Sequence, residues 1–405
     1  MKTFKYRIYP TNSQIGKLEN SFSMCRHLYN WSLDERQKAY EEEGKSISYN
    51  YQQNNLPSLK EERPWFKGVY SQVLQDVLKR VDRSYQNFFR RVKEKKEKAG
   101  FPKFKKKGQW SSITYPQFNK FPEDNKITIP KIGDVKIKYH RAIPITGIIK
   151  TLTIKKDGGK WFACFSVEVN AKKPELKQDL SKSIGIDLGL IDFYYGSDGN
   201  HVPVPKYFRK NEKKLKRLQR KFQKIRDEYR GKEKPLKYHK ILKSIQKVHY
   251  RIRSQREDFI HKEANRLLRN YDIIIHEDLN IKNMNRRPKP KQDENGKYLP
   301  NRAGIKAGLN KSINDAGWYK FTQILKYKAL VMGKTVIAID PKKTSQICSG
   351  CGNRVEKSLS ERTHICPFCG LILPRDYNSA LYIKGLGLES LSGVSSALEA
   401  PTIIR

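Results

Sequence analysis

Ser183-Ile184-Gly185-Ile186-Asp187-Leu188-Gly189-Leu190 sets one carboxylate inside an apolar β run. After it come a second strand, Asp192-Phe193-Tyr194-Tyr195-Gly196, a Ser-Asp-Gly-Asn turn and a third short strand at 201–204. A long helical stretch spans 206–270. Tyr271-Asp272-Ile273-Ile274-Ile275-His276-Glu277-Asp278-Leu279 then reads as a buried strand that ends in acids. A helix carrying Trp318, Phe321, Ile324 and Leu325, the strand Thr335-Val336-Ile337-Ala338-Ile339 and a helix starting near Asp376 complete the series. Three strands, helices, strand, helix, strand, helix is the succession of an RNase H-like α/β fold, a mixed sheet with helices on its faces. There the centre of the first strand and the end of the fourth lie side by side. Asp187 and Glu277 are therefore expected together, and a carboxylate at the start of the last helix, Asp376, can join them.

Three acids so placed suit phosphodiester hydrolysis. In-line attack on phosphorus needs divalent ions that activate water and steady the leaving oxygen, and hard Mg²⁺ (or Mn²⁺) takes oxygen ligands. Each acid alone has a plainer reading, Asp187 as a lysine partner or Glu277 as a strand end; the three at these fold positions favour a catalytic set. Asp278 is the alternative to Glu277, but strand alternation turns it to the other face. His276 is a candidate base, or simply a packed strand-end residue.

The second chemical signal is Cys348-Ser349-Gly350-Cys351, fourteen residues, then Cys366-Pro367-Phe368-Cys369. Two CxxC knuckles at this separation present four thiolates to a tetrahedral Zn²⁺, with an iron centre as the remote alternative. His364 reads as a neighbour and not a ligand. The other two cysteines, Cys25 and Cys164, stand alone in apolar surroundings and are expected to be buried as small hydrophobes.

The chain has 405 residues, enough for several domains. Its 83 Lys and Arg against 41 acids give a formal charge of +42, spread along the whole length, which points to a polyanionic partner, nucleic acid first. A generally basic or ribosome-associated protein is the plainer alternative. Neither a signal peptide nor an 18-residue apolar run is present, so an intracellular, cytoplasmic protein without a membrane partner is expected.

In the N-terminal half, Phe4, Tyr6 and Ile8 alternate with cations as a half-buried strand that Pro10 ends. Thr11 and Gln14 form a capping box, and Ile15, Leu18, Phe22, Cys25 and Tyr29 mark a helix to about Tyr40. A second capping box at Ser58 and Glu61 is expected to open a longer helix carrying Val69, Val73, Leu74, Val77, Val81, Tyr85, Phe88 and Val92, ending at Lys93-Glu94-Lys95-Lys96. Between Ser111 and Asn170 short strands recur, with Asp157-Gly158-Gly159 as a hairpin turn. These predict a small antiparallel β-barrel that the first strand completes, the helices being inserted into it.

Three basic stretches are candidate nucleic-acid contacts. Arg26 and Asn30 lie on the polar face of the first helix. Lys103, Phe104 and Lys105 belong to a run of aromatics and cations suited to stacking on bases and pairing with phosphates, or else to a solvated linker. Between 206 and 256, 21 Lys and Arg face four acids on a predicted antiparallel helical hairpin, with Lys213, Lys214, Arg217, Arg220 and Lys221 on its outside. The polar loop 283–308 reads as unpacked, a lid or a segment ordered by nucleic acid.

These stretches resemble the TnpB (OrfB) proteins encoded by insertion sequences, relatives of the type V CRISPR effector nucleases. The matching residues are Tyr6-Arg7-Ile8-Tyr9-Pro10 with Gln14, Cys25-Arg26-His27-Leu28-Tyr29-Asn30-Trp31, Gly100-Phe101-Pro102-Lys103-Phe104-Lys105, Gly185-Ile186-Asp187-Leu188-Gly189, Glu277-Asp278-Leu279, Thr344-Ser345-Gln346, both CxxC knuckles, and Arg375-Asp376 with Asn378 and Ala380. They cover nearly the whole chain in order. The resemblance implies an RNA-guided DNA endonuclease with one RuvC-type site, whose catalytic acids match Asp187, Glu277 and Asp376. It implies a guide RNA from the element's own end and a double-stranded DNA target beside a short motif, on one monomer per RNA. Pro374 stands where the family commonly has an aspartate.

The expected organisation is multidomain α+β. Residues 1–10 are the first barrel strand, 11–108 an inserted helical domain and 109–180 the rest of the barrel. The nuclease domain is 181–344 with a basic hairpin at 206–270, the zinc element 345–373, the last nuclease helix 374–385 and a disordered tail 386–405. A DNA transposase acting on transposon ends, or an RNA-guided repressor that does not cut, are the alternatives.

Overall fold

The computed structural model of the chain describes residues 1–94, 99–144, 146–169, 179–358 and 360–392. It divides into two compact units, 1–171 and 172–405.

In the first unit β1 (Lys2–Tyr9) leads into α1 (Asn12–Glu43). Thr11 caps this helix, with Gln14 completing the capping box, and Gly44 at φ +66° closes it. Two short helices, α2 (Tyr49–Asn54) and α3 (Leu56–Glu62), precede α4 (Ser71–Lys93). Ser58 is inside α3 and caps nothing: the expected helix is broken by Pro64 and starts again at Ser71. The expected end at Lys95-Lys96 lies outside the described residues.

The strands β2 (Ser112–Tyr115), β3 (Lys126–Ile129), β4 (Gly133–Lys138), β5 (Ile148–Asp157) and β6 (Lys160–Glu168) pair antiparallel with β1 in the order β2-β5-β6-β1-β4-β3. β1 is thus central, and its Phe4, Tyr6 and Ile8 are buried, as alternation predicts. The sheet is open, which corrects the closed barrel: β2 and β3 are edges that do not pair with each other. At four residues each they have few hydrogen bonds to offer one another. The β5–β6 turn is Gly158-Gly159, both at positive φ, as a two-residue hairpin loop requires. Apolar residues of α1 and α4, among them Leu18, Leu28, Leu74 and Val81, form one core with the sheet. Cys25 is buried there and Cys164 half-buried.

The second unit is built on five strands, β7 (Ser183–Asp187), β8 (Asp192–Gly196), β9 (His201–Pro203), β10 (Ile273–Glu277) and β13 (Thr335–Ile339), ordered β13-β10-β7-β8-β9. β7, β8 and β9 form an antiparallel meander, whereas β10 and β13 run parallel to β7. Between β9 and β10 stand α5 (Tyr207–Glu228) and α6 (Leu236–Asn270), joined near Gly231, with Leu215, Leu218, Ile245, Val248 and Ile252 packed between them. The segment read as an unpacked loop at 283–308 is more ordered. It contains α7 (Ile281–Met284), a small ladder of β11 (Lys291–Gln292) with β12 (Tyr298–Leu299), and the first turns of α8 (Ala303–Ala316). Gly304, Gly308, Asn310 and Asn314 hide α8 from pattern reading, because these residues favour turns when packing does not decide. α9 (Trp318–Met332) leads to β13, and a thiol-rich insertion carries β14 (Thr363–Ile365) and β15 (Ile372–Pro374). The last helix, α10 (Arg375–Ser392), ends seven residues later than expected, so 386–392 is helix and not tail. Residues 393–405 lie outside the described residues.

Successive residues of β10 serve the two sheet faces. Ile274 packs with α6 and α9 residues such as Ile260, Leu267 and Phe321, and Ile273 and Ile275 with Ile383 of α10. Among the described residues no helix is long and apolar enough to cross a membrane.

Candidate functional site

Asp187 is the last residue of β7 and Glu277 the last of β10, so the acid expected at the centre of its strand is at its end. Gly189 and the turn that follows force the chain out of the sheet just beyond it. The two strands are adjacent and parallel, with Ile275 opposite Gly185 and His276 opposite Ile186, which brings both acids to one edge. Period-2 alternation also sets them on the face that α10 covers, since each stands two residues beyond a residue touching that helix. A Cβ on Gly185 would be 2.3 Å from the Ala380 carbonyl oxygen, and one on Gly387 would be 2.5 Å from Ile275. Two glycines thus let α10 lie directly on β7 and β10.

Asp376 stands in the first turn of α10, where a carboxylate also suits the helix dipole. Burial, then the charge of Glu277 and then that of Asp376, push the Asp187 carboxyl well above its ordinary range; Arg375 opposes them. Burial raises Glu277 too, against the hydrogen bond donated by the Thr344 hydroxyl. Asp376 is 3.2 Å from Arg375 Nε and 4.0 Å from Arg362. Asp278 is exposed. His276 is buried on the opposite face, with Nδ1 2.8 Å from the Glu277 carbonyl oxygen, a packed residue and not a base for this edge.

The four knuckle cysteines converge. Among the described residues they are the one set of three or more His, Cys, Asp or Glu donors mutually within 4.8 Å. Sγ of Cys348 and Cys369 are 3.7 Å apart, those of Cys351 and Cys366 3.6 Å. A tetrahedron with Zn–S bonds of about 2.3 Å has edges of about 3.8 Å, whereas a disulfide would bring a pair to about 2.05 Å. Donor chemistry and spacing both fit zinc. The knuckles repeat one turn: Gly352 N–H donates to the Cys348 carbonyl and Gly370 N–H to that of Cys366, each at 3.0 Å, and both glycines have φ +74°. The backbone N–H of Asn353 beside Cys351 brings that thiol down to about 6. His364 is fully buried beside Lys357 and stands outside the thiol set, as expected.

Sequence reasoning assigned no role to Thr344, Asn378 or Gly185, although all three lie in the stretches quoted above. Thr344 is buried and fixes Glu277, and Asn378 ties α10 to the first knuckle. A glycine inside a strand is the one local signal of close backbone approach.

The candidate nucleic-acid contacts divide. Lys213, Lys214, Arg217, Arg220 and Lys221 are all exposed on α5. Lys103 and Phe104 are exposed as well, while Phe101 packs edge-on to Phe88 and Tyr85. Arg26 is half-buried. Asn30 is engaged within the first unit: its Oδ1 accepts from Lys105 N–H at 2.7 Å and its Nδ2 donates to the Lys105 carbonyl at 3.0 Å.

Three family models match the chain. "Probable transposase" covers 164–287, which includes Asp187 and Glu277; "Cas12f1-like, TNB domain" covers 318–383, with the four cysteines and Asp376; "Helix-turn-helix domain" covers 1–45. In this chain the last of these is a strand and one continuous helix. Escherichia coli K12 "Putative RNA-guided DNA endonuclease InsQ" is 32% identical over 391 residues, 96% of this chain and 92% of that protein. Streptomyces pristinaespiralis "Putative RNA-guided DNA endonuclease" is 28% identical over 396 residues, 96% and 90% of the two chains. A chain in the cryo-EM structure of the Cas12f1–sgRNA–target DNA complex superposes with a TM-score of 0.50 at 15% identity, over 92% of this chain and 82% of that one, a likeness of fold. With its sheet order, its thiol cluster and an identity sustained over nearly its full length, the chain belongs to the TnpB (OrfB) family.

Proposed function

We propose that this protein is an RNA-guided DNA endonuclease with one RuvC-type site made of Asp187, Glu277 and Asp376. The observation that carries the reading is that β7 and β10 end side by side in Asp187 and Glu277, with Asp376 near enough that, after burial, the charges of Glu277 and Asp376 help hold Asp187 above its ordinary range. Protein folding alone gives no reason to collect like charges in a buried place. A hard divalent cation, Mg²⁺ or Mn²⁺, answers that repulsion, and the oxygen-only donor set suits it. Bound there, it would supply water activation and leaving-group stabilisation. The chain's own part is to hold the ligands: Thr344 fixes Glu277 through its hydroxyl, and the α10 contact with Gly185 fixes the height of Asp376 over the sheet.

The relatives named as RNA-guided endonucleases match along nearly their whole length, which supports a guide RNA as partner and double-stranded DNA as target. Sequence specificity then belongs to base pairing, while the basic faces of α5 and the Lys103–Lys105 stretch grip backbone. The test is to purify the protein from its native locus, sequence the RNA that accompanies it, and challenge the complex with DNA matching that RNA's variable end. A defined RNA and Mg²⁺-dependent cutting are expected. Asp187→Ala should abolish cutting while RNA and target binding persist. Random RNA would overturn the guided reading, and cutting by Asp187→Ala would overturn the three-acid site.

A further inference from the structure

β8 and β9 carry a further polar group on the sheet face that α10 covers. Tyr195 stands directly opposite Asp187 in the β7–β8 pair, and His201 directly opposite Tyr195 in the β8–β9 pair. Residues directly opposite in an antiparallel pair share a face, so Asp187, Tyr195 and His201 form one row across three strands. Tyr194 takes the other face, stacked on Phe321 of α9. Tyr377, the neighbour of Asp376 on α10, agrees with this: its ring centroid is 5.7 Å from that of Tyr195.

The imidazole at the end of the row is held from two sides. Its Nδ1 is 2.9 Å from Asp192 Oδ1, and the Tyr195 ring lies nearly parallel to it, at 13° and 5.2 Å between centroids. β8 is irregular between Asp192 and Tyr194, so Phe193 and Tyr194 both pack with Phe321 while Asp192 is left beside His201. A carboxylate can only accept, so Nδ1 donates to it, which fixes the tautomer and the aim of the ring. Nε2 has no hydrogen-bond partner among the described residues. The His201 side chain is 54% exposed and that of Asp192 19%, which puts the reactive group outside and the orienting carboxylate inside, as a general acid or base requires.

In-line cleavage leaves an oxygen that needs a proton. In the nuclease reading Asp187, Glu277 and Asp376 are committed to a cation, the Arg375 and Arg362 guanidinium groups hold their protons too tightly, and His276 is buried on the other face. His201 is two strands away from Asp187, about 10 Å between Cα atoms, a span that a phosphate at the acid edge and one water fill. We propose that His201 is the general acid for the leaving oxygen, with Asp192 and Tyr195 as its positioning residues, an inference that rests on the nuclease reading above. As the water oxygen bonds to phosphorus and the bond from phosphorus to the leaving oxygen breaks, that oxygen takes the Nε2 proton of the imidazolium. The ring is left neutral, the proton of the attacking water passes to solvent, and solvent reprotonates Nε2.

The test uses the full chain with its co-purified RNA and two DNA targets that match it, one natural and one with sulfur in place of the leaving oxygen at the bond the parent protein cuts. A thiolate leaves without a proton, so the sulfur target has no need of a general acid. Cutting is followed under single-turnover conditions in Mn²⁺ for both. His201→Gln is expected to slow cutting of the natural target about a hundredfold or more and to cut the sulfur target at nearly the parent's rate. Asp192→Asn should show a smaller loss, about tenfold, again on the natural target alone. RNA content and melting temperature should match the parent's, since His201 packs into no core. An unchanged rate on the natural target would overturn the proposal. Equal losses on both targets would also overturn it, because they assign His201 to holding the DNA and not to proton transfer. A parent protein that cuts neither target overturns the nuclease reading itself, and this proposal with it.

Discussion

Asn378 reaches from α10 into the first cysteine knuckle: its Oδ1 accepts from the backbone N–H of Ser349 at 2.9 Å, and its Nδ2 donates to the Ile347 carbonyl at 2.8 Å. The side chain is fully buried and stands two residues after Asp376. The thiol element and the first turn of α10 are therefore one mechanical piece. Asn378→Ala would remove two part-buried hydrogen bonds to backbone groups, at a cost of about 0.5–1.5 kcal/mol each, and should lower the melting temperature. Cys366→Ser, or chelation of zinc, should reduce DNA cutting by misplacing Asp376. Zinc content, melting and cleavage measured together check the link: cutting that survives complete zinc loss would show the element to be dispensable.

Gly185→Ala should be disproportionately costly for one methyl group. The new Cβ would meet the Ala380 carbonyl oxygen at 2.3 Å and the Lys384 backbone nitrogen at 2.6 Å, and helix backbone cannot rotate aside as a side chain can. Overpacking of this kind costs about 1–3 kcal/mol, and α10 should lift from β7 and carry Asp376 with it. Gly308→Ala in α8 is the contrast. Nothing lies within 4 Å of its Cβ position, and helix propensity favours alanine by about 0.5–1 kcal/mol. Denaturant unfolding of both variants should give shifts of opposite sign; two shifts of the same sign would argue against the close approach.

Asp187 also predicts a pH dependence. Burial first, then Glu277 and Asp376, raise its folded-state pKa above the unfolded value. A carboxyl raised in this way contributes stability that is fully present below the ordinary carboxylate range and is lost as pH rises through the folded-state value. Without divalent ions, Asp187→Asn should therefore melt above the parent protein at neutral pH, and the gap should close as pH falls towards the ordinary carboxylate range. Added Mg²⁺ should raise the parent's melting temperature and leave the variant nearly unchanged. Thermal melts in chelator and in Mg²⁺, over a pH series, decide this; a variant that melts lower at neutral pH without metal would contradict it.

Asn30 separates a structural role from a nucleic-acid contact. Its two hydrogen bonds to the Lys105 backbone clamp the Phe-Lys segment to α1. Asn30→Ala should cost about 1–2 kcal/mol and speed hydrogen exchange at the Lys105 amide without any nucleic acid present. Unchanged exchange there, with weakened RNA binding, would instead return Asn30 to the contact surface.

Much of this is legible from residue order because the signals are local. Alternation in residues 3–9, the Thr11–Gln14 box, the Gly158-Gly159 turn and the two Cys-x-x-Cys-Gly knuckles each settle a few neighbouring backbone angles, and each is found where its pattern puts it. The preference for Glu277 over Asp278 is of the same kind, since a period of two decides it. α8 escapes because its glycines and asparagines say turn until Ile313 and Ala316 find a core to bury in. The closed barrel fails because closure depends on whether two distant short strands meet, a relationship no local pattern carries.

The sequence by itself determined the order of elements, the thiol spacing and which acids stand in strands, because those follow from backbone periodicity and side-chain type within a few residues. Only the tertiary structure decided that Asp187 lies at a strand end, that Gly185 and Gly387 let α10 settle on the sheet, and that Thr344 and Asn378 hold the acids' supports. Those facts depend on steric fit and hydrogen bonds between groups up to nearly 200 residues apart, and such contacts exist only once the sheet has assembled.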